Sequence, residues 1–454
     1  MLRVNEMGHD GYLVELVPDS HRLSSNNVYT VIVGKNGVGK SRLLANIAKA
    51  GIEFAEYDGT YIKYPLLHFD RESQVIAVST SPFDKFPTPP RGRRDGRYQY
   101  VGMRGDNRFS ASSAITLISS ASKGLLSKII KNANNADFLE VFKSLSFSPQ
   151  VDFIFKPAFS RSPMEVTRSS NSSQMYFEVD TPDGENRLKV DLRFQRTYEN
   201  LSTEDKSSVS YAMSNIASYF HERKAIDLSI DFETNSVVID NRHADPHIIN
   251  SILILMNIGL IRLMDLRIYK DEYGMLSLRR ASSGEQCLIV LMLGIAGHIE
   301  DGSLILIDEP EISLHPRWQE QFMQMLIRSF SRYQYCHFVI ATHSPQVVSK
   351  IDADDAFVLS LPSGELHPGV EFYNKSADYQ LAELFDAPGI MNEYISRISF
   401  NLIAKIRSRQ SVNEEITAEL HRLIKFREIL HITDPVRDLI ASVEELVLHY
   451  ANHK

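Results

Sequence analysis

The sequence predicts an α/β protein whose mixed sheet is split by a large α+β insertion and followed by a helical C-terminal region. Short β-rich segments alternate with turns and a helix up to about residue 90, and the same order returns near the middle of the chain. After Lys375, apolar residues recur at helical spacing. We therefore expect one core from residues 1–90 and 271–362, an insertion at 91–270 and a helical region at 363–454.

The composition suits two or three domains with a buried core, because 43% of the 454 residues are hydrophobic. The formal net charge of -8 argues against a protein that coats nucleic acid by bulk charge, so such contact requires a local basic patch. The two cysteines, Cys287 and Cys336, exclude a disulfide framework and a four-thiolate zinc site, and they fit a reducing cytosol. Each precedes an apolar run, so we expect both to be buried.

Two segments bear on export and membranes. Residues 1–20 have acidic and polar residues instead of the basic and then apolar pattern of a signal sequence, which predicts a cytoplasmic protein. The most apolar stretch, residues 248–266, is interrupted by Asn250, Asn257, Arg262 and Asp265. A spanning helix needs roughly 20 nearly uninterrupted apolar residues, so we expect a buried helix and no membrane contact.

Strands and helices alternate in both halves of the predicted core. The first half has β-rich runs at residues 11–17, 28–33 and 73–79, and one helix at residues 41–49. The second half has helices at 284–299 and 316–329 and strands at 304–307 and 336–341. In the insertion we expect helices at 114–131 and 203–223, strands at 174–179, 188–194 and 225–239, and a serine-rich loop at 160–173.

A glycine-rich loop between the strand 28–33 and the helix 41–49 carries the strongest motif. It matches G-x-x-x-x-G-K-[ST] in Gly34, Lys35, Asn36, Gly37, Val38, Gly39, Lys40 and Ser41. Its glycines let backbone N–H groups point at a β-phosphate, where the positive end of the helix also lies. Lys40 would add a cation for the phosphates, and the Ser41 hydroxyl would bind Mg²⁺. We therefore predict that this loop, with Arg42, binds ATP.

Two carboxylates follow the four apolar residues 304–307. Such a run is typical of a strand buried on both faces of a parallel sheet, and its C-terminal end faces the ligand crevice. Asp308 would hold Mg²⁺, directly or through water, and Glu309 would act on the attacking water as general base. Asp-Glu-Pro alone is a common exit from a strand, but the glycine-rich loop favours the catalytic role.

Two further segments complete the pattern. Residues 281–286, Ala-Ser-Ser-Gly-Glu-Gln, precede a helix and would form an anion-binding helix start, although an ordinary N-cap is an equal alternative. His343 ends another apolar strand, where a lone histidine is more often structural than catalytic. The order and spacing of all four segments favour functional roles for both.

With these four motifs in this order, the chain resembles the ATP-binding-cassette (ABC) ATPases. The sequences of these motifs are similar to those of the soluble branch of RecF, SMC and overcoming-lysogenization-defect proteins. The resemblance covers about residues 1–87 and 279–362, and it implies an ABC-type AAA ATPase head with the P-loop NTPase fold, using ATP and Mg²⁺.

The resemblance also implies a composite site in a homodimer or higher homo-oligomer. ATP would lie between two heads arranged head to tail, with Ser283 and Gly284 of one copy on the γ-phosphate held by Lys40 of the other. His343 would contact the γ-phosphate, and residues 311–316 would link the two sites. The implied nucleotide contacts of the second head are Ser283, Gly284, Glu285 and Gln286.

The chain departs from the family pattern after the strand 73–79, where the family has a Mg²⁺-contacting Gln. Nearby substitutes are Ser79, Ser81 and Asp84. Glu285 stands where transporters carry glycine, which is usual in the soluble branch. Tyr12 could stack on adenine, but we expect a core aromatic.

An arginine cluster is interleaved with Tyr98 and Tyr100. It consists of Arg91, Arg93, Arg94, Arg97, Arg104 and Arg108. Arginine with aromatics suits phosphate contact and base stacking, so nucleic-acid contact is one interpretation. A solvated loop or an intersubunit salt-bridge face is an equal alternative.

Three functional classes are open to such a head. The long insertion and the Ser-Ser-Gly-Glu-Gln sequence argue against a transporter subunit. A RecF- or SMC-like role in DNA repair or recombination is an alternative, although the chain lacks a Cys-x-x-Cys hook and long heptad arms. The run at residues 79–86 and the helical C-terminus resemble the ATPase subunits of Septu antiviral systems, with those of PARIS systems as a near alternative.

Overcoming-lysogenization proteins carry a Toprim nuclease after the ATPase, but only about a hundred, mostly helical, residues follow His343 here. Asp352 and Asp354 form a D-x-D pattern that we interpret as a helix-start cap. The resemblance therefore implies a separate nuclease subunit, of the HNH type for a Septu-like pair. Binding or hydrolysis of ATP would control cleavage by closing or opening the heads.

Overall fold

A seven-stranded, mostly parallel sheet forms the centre of the protein in the computed structural model. The structure describes residues 3–56, 67–68, 73–88, 97–104, 113–131, 136–161, 176–182, 187–217, 219, 225–245, 247–270, 274–361, 363–409 and 411–452. The strands are β1 Arg3–Val4, β2 Glu6–His9, β3 Tyr12–Glu15, β4 Val28–Val33, β5 Leu67–His68, β6 Val75–Ser79, β7 Tyr98–Val101, β8 Ser148–Pro157, β9 Phe159–Arg161, β10 Tyr176–Asp180, β11 Arg187–Asp191, β12 Ile226–Asp231, β13 Ser236–Ile239, β14 Arg242–His243, β15 Ile261–Lys270, β16 Gly274–Ser277, β17 Leu304–Asp308, β18 His337–Ala341, β19 Ala356–Ser360 and β20 Glu365–Pro368. The helices are α1 Lys40–Glu56, α2 Ser113–Ile130, α3 Ala136–Ser144, α4 Gln195–Glu199, α5 Thr203–Ala217, α6 His247–Ile258, α7 Ser283–Ala296, α8 Pro316–Ser329, α9 Pro345–Ser349, α10 Ala377–Glu383, α11 Glu393–Arg409, α12 Glu414–Ile429 and α13 Pro435–Asn452.

The core sheet has the strand order β20-β19-β4-β18-β17-β6-β7. Neighbouring strands are parallel except for β19 and β20. Every residue of β4, β6, β17 and β18 is buried, as expected for strands covered on both faces. Helix α1 packs Leu43, Leu44 and Ile47 on one face, and α7 covers the other. The carboxyl ends of β4, β18 and β17 therefore lie side by side.

The insertion builds a six-stranded antiparallel sheet of order β14-β13-β12-β8-β15-β16 and a three-stranded sheet of order β10-β11-β9. Its central strand β8 buries Val151, Phe153 and Phe155 in a core continuous with one face of the core sheet. Helix α2 joins the two layers, because it packs against both α7 and β15. The β15–β16 hairpin crosses residue 270, so the antiparallel sheet continues to Ser277.

The prediction of one buried helix over residues 248–266 is wrong in its second half. Helix α6 ends at Ile258, and Gly259 follows with a φ of 82°. A left-handed glycine ends a helix readily because it has no Cβ to clash. Strand β15 then begins at Ile261 and pairs with β8, so half of the apolar run lies in a sheet. Among the described residues, no helix is long and apolar enough to cross a membrane.

Several elements differ from the sequence-based expectations. Strands β8 and β19 and helix α3 were not expected; β19 pairs in parallel with β4. Asp352 and Asp354 lie in the link between α9 and β19 and cap no helix there. Parts of the expected loop 160–173 and of the helix 203–223 fall outside the described residues. The helices α11–α13 pack around their own core, which includes Ile395, Leu402 and Leu423.

Candidate active site

The glycine-rich loop joins β4 to α1, which begins at Lys40. Gly34, Gly37 and Gly39 have φ angles of 149°, 86° and 98°, a region that residues with a side chain rarely adopt. A Cβ on Gly37 would meet no atom within 4 Å, whereas a Cβ on Gly39 would lie 2.6 Å from the His9 ring. Backbone conformation therefore requires the glycines of the motif. Lys35 and Asn36 are exposed, and Val38 packs against the core beside α1.

The β2–β3 hairpin braces this loop. Its turn residues Asp10 and Gly11 have φ angles of 47° and 90°, as in the type I′ turns that favour Asp-Gly. His9 Nε2 lies 3.0 Å from Val38 O, and Arg42 donates to Asp10 at 2.5 Å. Arg42, which the sequence predicts to contact nucleotide, is thus held by the hairpin in this structure.

Lys40 lies at the centre of a charged cluster. Its Nζ is 2.7 Å from Gly34 O, 3.1 Å from Lys35 O and 3.0 Å from His343 Nδ1. The ammonium carries three protons and no acceptor, so His343 must present an unprotonated Nδ1 to it. Burial lowers the pKa of Lys40 to about 8, and the carboxylates of Glu309, Glu311 and Asp308 partly oppose that shift.

Asp308 ends β17 and accepts a hydrogen bond from Ser41 Oγ at 3.0 Å. Burial raises the pKa of Asp308 to about 7; the Ser41 hydroxyl opposes this, and the nearby carboxylates add to it. This hydroxyl oxygen and this carboxylate oxygen, 3.0 Å apart, suit two neighbouring ligands of octahedral Mg²⁺. Such ligands are about 2.9 Å apart when the metal–oxygen bonds are 2.0–2.1 Å. The crowding of negative charge would also be relieved by a divalent cation. The donor set therefore fits Mg²⁺.

Glu309 follows Asp308 and points back toward the cluster. It has a φ of 50°, and its Oε1 lies 3.2 Å from His343 Nε2. The hydrogen bond from His343 lowers the pKa of Glu309, against the opposing effect of burial. Glu309 is thus a carboxylate held in the ionised form that a proton acceptor needs. The His343 ring spans Lys40 and Glu309.

Sequence reasoning missed one member of the site, Glu311. Its Oε1 accepts the backbone N–H of His343 at 2.5 Å, and burial raises the pKa of its carboxyl. The second glutamate of the Asp-Glu-Pro-Glu run was the available signal. The family resemblance implies for it only a place in the loop 311–316.

The Ser-Ser-Gly-Glu-Gln segment makes no described hydrogen bond to the Lys40 cluster of its own chain. Ser282 caps α7, and Ser282 and Glu285 form a reciprocal capping box. Gln286 donates to Arg279 O and Ala281 O. Ser283 is exposed on the first turn, and a Cβ on Gly284 would lie 2.7 Å from Ser313 O. The N-cap interpretation therefore holds locally for this chain.

The structure assigns different positions to the three substitutes for the missing Gln. Ser79 pairs in register with Asp308, and its Oγ accepts the N–H of Ser81. Asp84 is buried in an ion pair with Arg104 and also accepts the Tyr100 hydroxyl at 2.7 Å. Ser79 therefore lies beside Asp308 at the strand end, while Asp84 is already paired.

The environments of Arg104 and Tyr12 differ from what the sequence predicts. Arg104 is an ion-pair partner of buried Asp84 and not a free member of a nucleic-acid patch. Tyr12 is 44% exposed and donates to Leu361 O, so it is not a core residue. Both cysteines are buried, as expected. The other arginines of the cluster are Arg97, described by its backbone bond to Val75, and Arg91, Arg93, Arg94 and Arg108, which lie outside the described residues.

Comparison with known proteins identifies relatives among retron ATPases. The chain is 33% identical over 107 residues to the Retron Ec83 probable ATPase of Escherichia coli. This matched segment covers 21% of this chain and 19% of that protein. Over 96 residues it is 29% identical to the Retron Vc95 probable ATPase of Vibrio cholerae serotype O1 biovar El Tor, 19% of this chain and 18% of that protein. The chain thus matches about a fifth of the length of these relatives.

A family model covers much more of the chain. It matches residues 29–349, from β4 through α9, and therefore includes the glycine-rich loop, the carboxylates of β17 and His343. The chain belongs to the AAA ATPase family described as "AAA domain, putative AbiEii toxin, Type IV TA system".

Proposed function

We propose that the protein is an ATPase that binds ATP with Mg²⁺ and hydrolyses it. The observation that carries the proposal is the convergence of Lys40, Ser41, Asp308, Glu309 and His343 at the carboxyl ends of three adjacent parallel strands. Membership of the AAA family and similarity to proteins named ATPases support it.

The proposed chemistry follows from the contacts of each side chain. The loop's N–H groups and Lys40 would hold the β- and γ-phosphates, with Lys40 exchanging carbonyl contacts for phosphate oxygens. Ser41 and Asp308 would hold Mg²⁺, which when bound neutralises charge on the phosphates. Glu309 would orient the attacking water and accept its proton. His343, between Lys40 and Glu309, would contact the γ-phosphate and keep Glu309 oriented.

We further propose that the complete site forms between two copies of the chain. Ser283 is exposed at the start of α7 and makes no described bond to the Lys40 cluster of its own chain. A second head could present Ser283, Gly284, Glu285 and Gln286 to the γ-phosphate, which supports a head-to-tail homodimer or higher oligomer.

At the level of the cell, we propose that this ATPase controls a separate nuclease in an antiviral system. The resemblance of its motifs to Septu-type ATPases supports an HNH-type partner. The near alternative is a PARIS-type system, whose partner would be a Toprim nuclease. ATP-dependent closure of the heads would restrain or license cleavage through differential affinity for the two states. Contact with nucleic acid would occur in that complex.

The test of the ATPase proposal uses the purified protein with Mg-ATP. Glu309→Gln should bind a fluorescent ATP analogue with near wild-type affinity and hydrolyse ATP at least about a hundredfold more slowly, since general-base catalysis contributes 10²–10⁴-fold. Lys40→Ala should weaken binding itself. Wild-type turnover in Glu309→Gln protein would disprove the proposed role of that carboxylate.

A further inference from the structure

One side chain of α8 bridges the β17–α8 loop and the turn that carries His343. Gln319 Nε2 lies 2.9 Å from Leu314 O and 3.4 Å from Glu311 O. Carbonyl oxygens only accept hydrogen bonds, so the amide nitrogen must face them and the amide oxygen must face Ser344. Ser344 Oγ donates to that oxygen at 2.7 Å. Gln319 therefore joins the loop to the residue next to His343.

The loop is held at both of its ends. On one side, the carboxylate of Glu311 accepts the N–H of His343. On the other side, Ser313 O lies so close to α7 that a Cβ on Gly284 would be 2.7 Å from it. Glu309 and Ser313 have φ angles of 50° and 67°. Residues other than glycine adopt such angles only when the surrounding structure holds them there. The loop is therefore tightly constrained and is in contact with α7.

The ring of His343 has little positional freedom. Its two nitrogens lie 3.0 Å from Lys40 Nζ and 3.2 Å from Glu309 Oε1. A displacement of about 1 Å directly away from either partner would take that distance beyond the hydrogen-bond range. The ring position depends on the backbone turn, and the side chains of Glu311 and Gln319 tie this turn to the loop.

We propose that Gln319 is a positioning residue that keeps His343 aligned with Glu309 and Lys40 and transmits movement of the loop 311–314 to that ring. The inference rests on the proposed ATPase function. The described side-chain hydrogen bonds of Gln319 go to the loop 311–314 and to Ser344, and none of them reaches the glycine-rich loop. Its loss should therefore affect turnover more than nucleotide affinity.

The first test is the nearly isosteric Gln319→Leu in the full-length protein. Loss of a net hydrogen bond is worth about one order of magnitude at most, so kcat should fall about five- to tenfold. KM and the affinity for a fluorescent ATP analogue should stay within about twofold. Gln319→Glu should lose a similar factor, because it turns a carboxylate oxygen toward the carbonyls of Glu311 and Leu314.

A double-mutant cycle separates a bridge from an unrelated defect. Ser344→Ala removes the other half of the bond, so the Gln319→Leu, Ser344→Ala double variant should lose no more turnover than Gln319→Leu. The matched control is Gln346→Leu. Gln346 Oε1 lies 2.9 Å from the same Ser344 hydroxyl, but its described bonds do not reach the loop, so its kcat should stay near wild type.

A second readout follows His343 directly. In protein labelled with ¹⁵N-histidine, the ring signals absent from His343→Gln identify that residue, and they should shift in Gln319→Leu but not in Gln346→Leu. Unchanged kcat and unchanged His343 signals in folded Gln319→Leu would overturn the inference, as would additive losses in the cycle. Gln319→Glu replaces Gln319→Leu if the latter fails to fold. A wild-type protein without turnover would refute the proposed function, and the ring signals would then decide the positioning role alone.

Discussion

Two charged side chains of the site have pKa values displaced toward neutrality. Burial raises the pKa of Asp308 to about 7 and lowers the pKa of Lys40 to about 8. Loss of solvation outweighs the Ser41 hydrogen bond at Asp308 and the three nearby carboxylates at Lys40. The charge state of the site is therefore sensitive to pH near neutrality, and also to cations and phosphates.

Asp308→Asn should raise the unfolding temperature of the metal-free protein at pH 8 but not at pH 4. A carboxyl whose pKa rises from 3.8 to about 7 on folding binds protons better in the folded state. Its favourable contribution is present below pH 3.8 and is lost as the pH rises through about 7. Asparagine avoids this loss, which is on the order of 2–4 kcal/mol for such a shift. Thermal unfolding in chelator-treated buffer measures it.

The control for this prediction is Asp352→Asn, which changes an exposed carboxylate outside the site. It should alter the unfolding temperature little at either pH. Added Mg²⁺ should stabilise the wild type more than Asp308→Asn, because binding to the folded state shifts the equilibrium by mass action. The same difference between wild type and Asp308→Asn at both pH values would contradict the assignment of a raised pKa.

Helices α2 and α7 pack closely where they cross. A Cβ on Gly297, which caps α7, would lie 2.6 Å from Gly124 C and 2.7 Å from Leu125 N. Lys128 of α2 donates to Ala296 O and Ile299 O at the end of α7. Cations at a helix C-terminus satisfy its last carbonyls. The helix that begins at Ser283 is thus anchored at its other end on the insertion.

Gly297→Ala should destabilise the protein by about 1–3 kcal/mol, the usual cost of overpacking. The three heavy atoms nearest to the new methyl group are backbone atoms, which cannot rotate away. Urea unfolding measures the change. Gly8→Ala is the matched control, because a Cβ there would meet no atom within 4 Å. Equal stability of the two variants would show that the crossing has room to relax.

At the scale of the whole molecule, the proposed head-to-tail pairing of two copies predicts complementation between variants. Mixing Lys40→Ala with Ser283→Glu should restore turnover if each site uses Lys40 of one copy and Ser283 of another. Half of the dimers in an equal mixture are mixed, and each has one intact site of two, so recovery should reach about a quarter of wild-type turnover. Steady-state ATP hydrolysis across mixing ratios measures it.

The control mixture combines Lys40→Ala with Glu309→Gln. These two residues serve the same half of the site in one chain, so every site in the mixture keeps a defect and no recovery is expected. Recovery in this control, or none in the Ser283→Glu mixture at any ratio, would argue against the head-to-tail arrangement.

Local sequence patterns predicted the elements that carry the site. Glycines at 34, 37 and 39 mark backbone angles that other residues avoid, so their spacing reveals the loop without knowledge of the fold. The apolar residues of β17 reveal a strand buried on both faces, because such a strand needs no polar alternation. Predicted helices such as 316–329 match the observed bounds of α8.

Patterns failed where two structures share one hydrophobic signal. Residues 248–266 read as a single buried helix, yet Gly259 divides them into α6 and β15. Strand β8 was missed although Val151, Phe153 and Phe155 alternate along it, which is the pattern of a strand with one apolar buried face.

The sequence by itself determined which residues could bind phosphate and Mg²⁺, because the loop and the strand-end carboxylates are local features with strict backbone requirements. Only the tertiary structure decided their partners. Lys40 meets His343 across 303 positions of the chain, and Asp84 takes Arg104 as its partner and removes it from the arginine cluster. These pairings depend on strand order and on which buried charge finds an opposite charge, and neither leaves a periodic signal in the sequence.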